Sequence, residues 1–175
     1  MFSYDETSKM RGCVDIKVYG PDGTIKESRY IPNLVVQNGK NYIATRILGT
    51  STATAVATTN TLTSCMTHMG IGSASTTVTT SDATLSGEII VLNDITAYSR
   101  AAIISSTQTT GIVTYVATFG VNNPQRGNSS NTTGITEAGI FNASTVGTML
   151  CRTTFNVVNK GNDDTLQITW TITVS

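Results

Sequence analysis

The sequence predicts a mainly β protein: a β-sandwich or jelly-roll-like domain of eight or nine strands, with one short α-helix and an N-terminal arm. Three observations carry this expectation. Apolar and polar residues alternate at a two-residue period, most cleanly in the closing stretch LQITWTITVS. There Leu166, Ile168, Trp170, Ile172 and Val174 fall on one face, and Gln167, Thr169, Thr171 and Thr173 on the other. Such runs are short and are separated by turn residues, as in sandwiches and barrels. Finally, polarity is carried by thirty-three threonines, β-branched residues suited to a pleated surface, while charged residues make up only 13%. Ordinary soluble domains carry roughly 25%.

The elements follow in order. Residues 1–11 have no strand or helix period, and Phe2, Tyr4 and Met10 are isolated apolar anchors; this segment reads as an arm. The rest, 12–175, reads as one β-rich domain. Val14, Ile16 and Val18 alternate with polar neighbours, GPDG (20–23) makes a turn, and TIKESRYI returns, so 12–31 form a hairpin. NGKNYIATRILG carries the one helical pattern, with Asn38 as N-cap and Gly49 as its stop. Low-complexity Thr/Ser/Ala stretches at 50–64 and 73–84 read as loops or weak edge strands. Further strands are expected at 66–72, 88–93, 98–107, 111–120, 134–141, 149–158 and 166–175, with a long loop at 122–134.

Bulk properties exclude several classes. A chain of 175 residues with 39% apolar content can build a core of its own. Eleven basic and eleven acidic residues cancel, so no long-range field gathers nucleic acid or anionic lipid, and neither is an expected partner. Twelve of the charges lie in the first fifty residues and only four between Ser51 and Gln125. Cys13, Cys65 and Cys151 are too sparse for a disulfide framework. No apolar run approaches the ~20 residues of a membrane span, and MFSYDETSKMR lacks the apolar core of a signal peptide. The chain is expected to fold in a reducing cytoplasm.

Catalytic and metal chemistry find little purchase. His68 is the single histidine, and no Gly-x-Ser-x-Gly elbow presents a nucleophile to it. Cys65 and His68 form one C-x-x-H pair without further ligands at zinc spacing. GIGSAS (70–75) lacks the third glycine or the lysine of a phosphate loop, and GNDDT (161–165) reads as a turn with solvated aspartates. Glu137 stands alone in an apolar strand. If it faces inward it must be paired, with Arg100 or Arg152 as partner. No enzyme activity, metal or cofactor is expected.

Several stretches taken together resemble tailed-phage virion structural proteins. GTIKESRYIPNLVVQNGKNYIATRILG is similar to an N-terminal module in which a strand and an Asn-Leu-Val turn lead into a Gly-Lys helix. MTHMGIGSASTTVTTSDATLSGEI, with Met66, Gly70 and Gly72 spaced Met-x-x-x-Gly-x-Gly, resembles the following Met- and Gly-bearing strand and Thr/Ala loop. YVATFG, GITEAGIFNASTVGTMLCRTTF and VVNKGNDDTLQITWTITVS match the C-terminal half in order. The resemblance covers about 12–175 and implies a capsid decoration (cement) or fibre-associated protein on the virion, with no enzymatic activity attached.

Composition favours the decoration reading. Aromatic residues are only 6% and no heptad shaft is present, unlike a receptor-binding fibre. A homo-oligomer, expected as a trimer, would span a lattice junction of the major capsid protein. The arm residues Phe2, Tyr4, Lys9, Met10 and Arg11 would reach an adjacent subunit. A tail or head-fibre component, or a glycan-binding adhesin, is the alternative.

Overall fold

The strand alternation of the sequence becomes a closed barrel. The computed structural model describes residues 10–48, 65–91, 94–98, 100–124 and 132–174. Its elements are β1 (Met10–Tyr19), β2 (Ile25–Val35), α1 (Gln37–Leu48), β3 (His68–Gly72), β4 (Ile90–Val91), β5 (Asp94–Tyr98), β6 (Ala101–Thr109), β7 (Ile112–Phe119), β8 (Thr132–Phe141), β9 (Met149–Gly161) and β10 (Thr165–Val174). Eight strands close in the order β1-β10-β7-β6-β3-β8-β9-β2, each antiparallel to its neighbours, and β4 and β5 form a separate two-stranded sheet.

The hairpin expected at 12–31 is β1–β2, and the strands expected at 98–107 and 111–120 pair as the hairpin β6–β7. On β1 and β10, Val14, Ile16, Val18, Leu166, Ile168, Trp170 and Ile172 are all buried inside the barrel. Burial of each contributes roughly 1.5–3 kcal/mol. A one-residue slip of register would turn the set outward, which fixes the β1–β10 ladder. Closure depends on two short seams: β2 meets β9 at two residue pairs, and β3 meets β6 at two.

The layer β3-β8-β9 differs from the rest. Met69–Gly72, Ala138–Phe141 and Met149–Thr153 are buried without alternation, so both faces of this layer are covered. Residues 73–89, the Thr/Ser/Ala stretch and its continuation, lie across the outer face. Helix α1 covers the neighbouring end of β9. Gly39 permits this, because a Cβ there would collide with the Leu150 carbonyl.

Some boundaries differ from the expectations. Met10 and Arg11 are not arm residues but open β1, opposite Val174 and Thr173. EIIVLN does not add a barrel strand; its Ile90–Val91 pair instead with β5. The helix begins at Gln37, so Asn38 lies in its first turn rather than at its cap, a shift of the size helix ends commonly show. Gly49 and 50–64 lie outside the described residues.

Candidate functional site

Two regions of the barrel surface are built differently from an ordinary solvated β-face. The first is the outer side of β3-β8-β9, where residues 73–89 are strapped down by buried charge. Glu137 on β8 and Arg152 on β9 are both fully buried. Arg152 Nε and Nη2 donate to Glu137 Oε2 at 2.9 and 2.7 Å. Arg152 Nη1 reaches Asp82 Oδ2 at 2.7 Å, and Nη2 also donates to the Thr76 hydroxyl at 2.8 Å. Glu137 accepts in addition from the backbone N–H groups of Ser86 (3.1 Å) and Gly87 (2.6 Å). Thr136 Oγ1 donates to the Ala74 carbonyl, and the Ser73 N–H to the Gly87 carbonyl, which closes the base of the strap.

The glycines of MTHMGIG and GITEAGIF make room for this. A Cβ on Gly72 would occupy the place of the Glu137 carboxylate. One on Gly70 would crowd Glu88 and Phe141, and one on Gly139 would crowd Leu85. A second pair sits beside the first. Arg100 Nε and Nη2 donate to Glu88 at 2.5 and 3.0 Å, its guanidinium lies 3.5 Å from the Phe141 ring centroid, and Nη1 holds the carbonyls of Ala143 and Val146. Leu85, Phe141, Met149 and Val36 form a small apolar cluster underneath.

Chemically, this is a fastening. Glu137 accepts four hydrogen bonds, so its lone pairs are committed. Burial pushes the Asp82 carboxyl up. The bonds from Thr79 and Arg152 more than offset this and hold it below the usual carboxylate range. The sequence names Arg100 or Arg152 as the partner of Glu137; it is Arg152, and Arg100 serves Glu88. Asp82, Thr76 and Glu88 were not singled out by sequence. The signal was their scarcity, since Asp82 and Glu88 are two of the four charges between Ser51 and Gln125.

The remaining titratable residues are placed apart from this cluster. His68 is half-buried on β3, with Nδ1 2.8 Å from the Thr67 hydroxyl; burial and then the Arg100 charge push its pKa down. Cys151 is a core residue whose thiol is pushed far up by burial. Cys65 is exposed, and Cys13 accepts a hydrogen bond from Tyr30 Oη at 2.9 Å. No group of three His, Cys, Asp or Glu among the described residues could hold a metal ion. GNDDT does form a turn, but Asp164 is not solvated. It is buried, accepts from Gly161 N–H and pairs with Lys26 at 2.9 Å. Lys160 is buried nearby.

The second region is the outer face of β2-β1-β10-β7-β6. Ladder registry sets Pro32, Cys13, Thr171, Thr114 and Thr107 in one row across it. Tyr30, Asp15, Thr169, Val116 and Ser105 form the next, and Ser28, Lys17, Gln167 and Thr118 a third. Strands β6, β7 and β10 contain no charged residue. Ile104 and Ile112 are exposed on them. On β1, Asp15 and Lys17 neutralise one another at 2.9 Å.

Of the arm residues expected to contact a partner, Phe2, Tyr4 and Lys9 lie outside the described residues. Met10 packs against the barrel core and Arg11 is exposed at the end of β1. The two are thus tied to the barrel rather than free of it.

Compared with protein-family models, with curated proteins and with solved structures, the chain finds no match in any of the three. No helix among the described residues is long and apolar enough to cross a membrane.

Proposed function

We propose that the chain is a virion structural protein, a capsid decoration (cement) protein. It would be made in the host cytoplasm and would bind the major capsid protein on the outside of a phage head as a homo-oligomer, a trimer in the first instance. Neither nucleic acid nor a membrane is a partner in this reading, and no catalysis or cofactor is involved.

The observation that supports it best is the division of labour around the barrel. The charges of the strap and β8 are paired internally, Glu88 with Arg100, and Asp82 and Glu137 with Arg152. The opposite face offers hydroxyl and small apolar groups, which desolvate against another protein without burying an ion. Of the motif residues that carry the phage resemblance, Gly70, Gly72, Glu137 and Gly139 serve this bracing, and Gly39 seats α1 on β9. We also read the barrel as flattened, its two-pair seams joining a five-stranded and a three-stranded sheet in the manner of a sandwich or jelly roll.

Copy number on purified particles tests the proposal. A decoration protein is present in hundreds of copies over the shell and is visible in a particle reconstruction. A handful of copies at the tail or on head fibres would favour the fibre reading, and absence from particles would end both.

A further inference from the structure

The face of β10, β7 and β6 has properties suited to a symmetric contact between copies of the chain. A residue close to a rotation axis meets its own copies, whatever the order of the axis. A lysine there meets lysine, and a glutamate meets glutamate. Threonine and glutamine hydroxyls and amides, by contrast, both donate and accept, so they can hydrogen-bond to themselves. Gln167, Thr169, Thr171 and Thr173 on β10 and Thr114 and Thr118 on β7 form such a self-complementary set, with Val116, Ile112 and Ile104 as apolar filling. Charge on this sheet is confined to β1 and β2: on the outer face Asp15 pairs with Lys17 and Arg11 lies exposed opposite Thr173, while Glu27 pairs with Arg29 in register with the inward Val18 and Ile16.

The size is also sufficient. Five strands about 4.8 Å apart, eight residues long at about 3.3 Å each, give a face of roughly 600 Å². Two such faces bury about 1,200 Å², the lower end of a specific interface. The side chains are short and β-branched, so ordering them costs little entropy compared with lysine or glutamate. The opposite outer face is covered by the chain's own residues 73–89, and no described residue covers this one.

We infer that copies of this chain associate in a homo-oligomer through the outer face of β2-β1-β10-β7-β6, with its uncharged β10-β7-β6 part nearest the symmetry axis. This rests on the homo-oligomer of the proposed function, not on the virion location.

The test is sedimentation of the full chain with three variants. Thr171→Lys brings like charges together at the axis, Thr171→Val keeps an uncharged β-branched residue, and Thr84→Lys places the same charge on the exposed strap. The wild type is expected to sediment as an oligomer equally at 20 mM and 1 M NaCl, since no ion pair holds it. Thr171→Lys should be monomeric at concentrations where Thr171→Val and Thr84→Lys remain assembled. Circular dichroism confirms that each is folded; should Thr171→Lys unfold, Val116→Lys and Gln167→Lys on the same face replace it. An assembled wild type with folded, equally assembled lysine variants overturns the inference and leaves the homo-oligomer standing. A wild type that is monomeric at every concentration overturns both.

Discussion

Arg152 and Glu137 face each other from adjacent strands, joined by hydrogen bonds of 2.9 and 2.7 Å and both wholly withdrawn from solvent. Asp82 closes the group from the strap, so one guanidinium ties β8, β9 and residues 73–89 together. Because an unpartnered buried charge is far costlier than a paired one, the loss should depend on which member is removed.

Arg152→Met leaves Glu137 and Asp82 without their cation and should cost about 3–5 kcal/mol. Glu137→Gln leaves Arg152 its bond to Asp82 and should cost less, about 1–3 kcal/mol. Urea unfolding measures both. A smaller loss for Arg152→Met than for Glu137→Gln would show that the strap is held by other contacts.

The same cluster sets an acid limit. Burial pushes Asp82 up, while bonds from Thr79 and Arg152 bring its pKa below the ordinary 3.8. Asp164 is likewise raised by burial and brought below 3.8 by Lys26 and the Gly161 N–H. With folded values below unfolded ones, the folded state binds fewer protons. This stabilisation is therefore complete above about pH 5 and is lost as the pH falls below 3.8 through the folded values. Melting temperature should decline through that range, and Asp82→Asn should show a shallower decline. An identical slope in the variant would remove Asp82 from the account.

These relationships were unevenly legible in the sequence. Alternation on β1 and β10 was plain because one face of each is core. The strap was not, since STTVTTSDAT has no period of its own. Its path is set by Arg152 and Glu137, fifty or more residues away in the chain. Barrel closure left no pattern either, because each seam is only two residue pairs long. The start of β1 was hidden at Gly12. Its inward position is filled by the Asn33 side chain, so the apolar series Met10, Val14, Ile16 shows a gap there. Glu137 was legible because a lone carboxylate in an apolar strand demands a partner.

Gly39 offers a test of the helix crossing. By helix propensity alone, Gly39→Ala should stabilise by nearly 1 kcal/mol. The Leu150 carbonyl stands where the new methyl would go, and backbone cannot move aside as a flexible side chain can. We expect a net loss of about 1–3 kcal/mol, read as a lower urea midpoint. A gain would mean that α1 is free to lift from β9.

Lys160 should behave in the opposite way. Burial pushes its amine pKa down, and Asp164 only partly restores it. Its one described hydrogen bond is a long one, 3.3 Å to the Gly161 carbonyl. Asp164 keeps Lys26 as a partner if Lys160 is removed. Lys160→Met should therefore hold or raise stability at pH 7, by about 0–1 kcal/mol. The wild type, whose amine is charged more readily when unfolded, should recover this difference as the pH rises towards 10.5. A clear destabilisation by the methionine at pH 7 would show that the charge is needed where it lies.

The arm separates folding from attachment once its boundary is placed correctly. Met10 and Arg11 pair with Val174 and Thr173, and Met10 packs on the core. Deleting 1–9 removes none of these contacts, so the melting temperature should change by no more than the effect of about 0.5 kcal/mol typical of surface changes. Deleting 1–11 also removes the two ladder residues and the Met10 side chain. Burial of that side chain and its ladder bonds contributes roughly 1–3 kcal/mol, which at this chain length lowers the melting temperature by several degrees. Under the proposed function, Phe2, Tyr4 and Lys9 contact a neighbouring capsid subunit. The 1–9 deletion, although fully folded, should then dissociate from particles more readily than the intact chain. Competition binding to undecorated heads measures this. Equal retention would assign attachment to the barrel alone, whereas a large fall in melting temperature on deleting 1–9 would make that segment part of the fold.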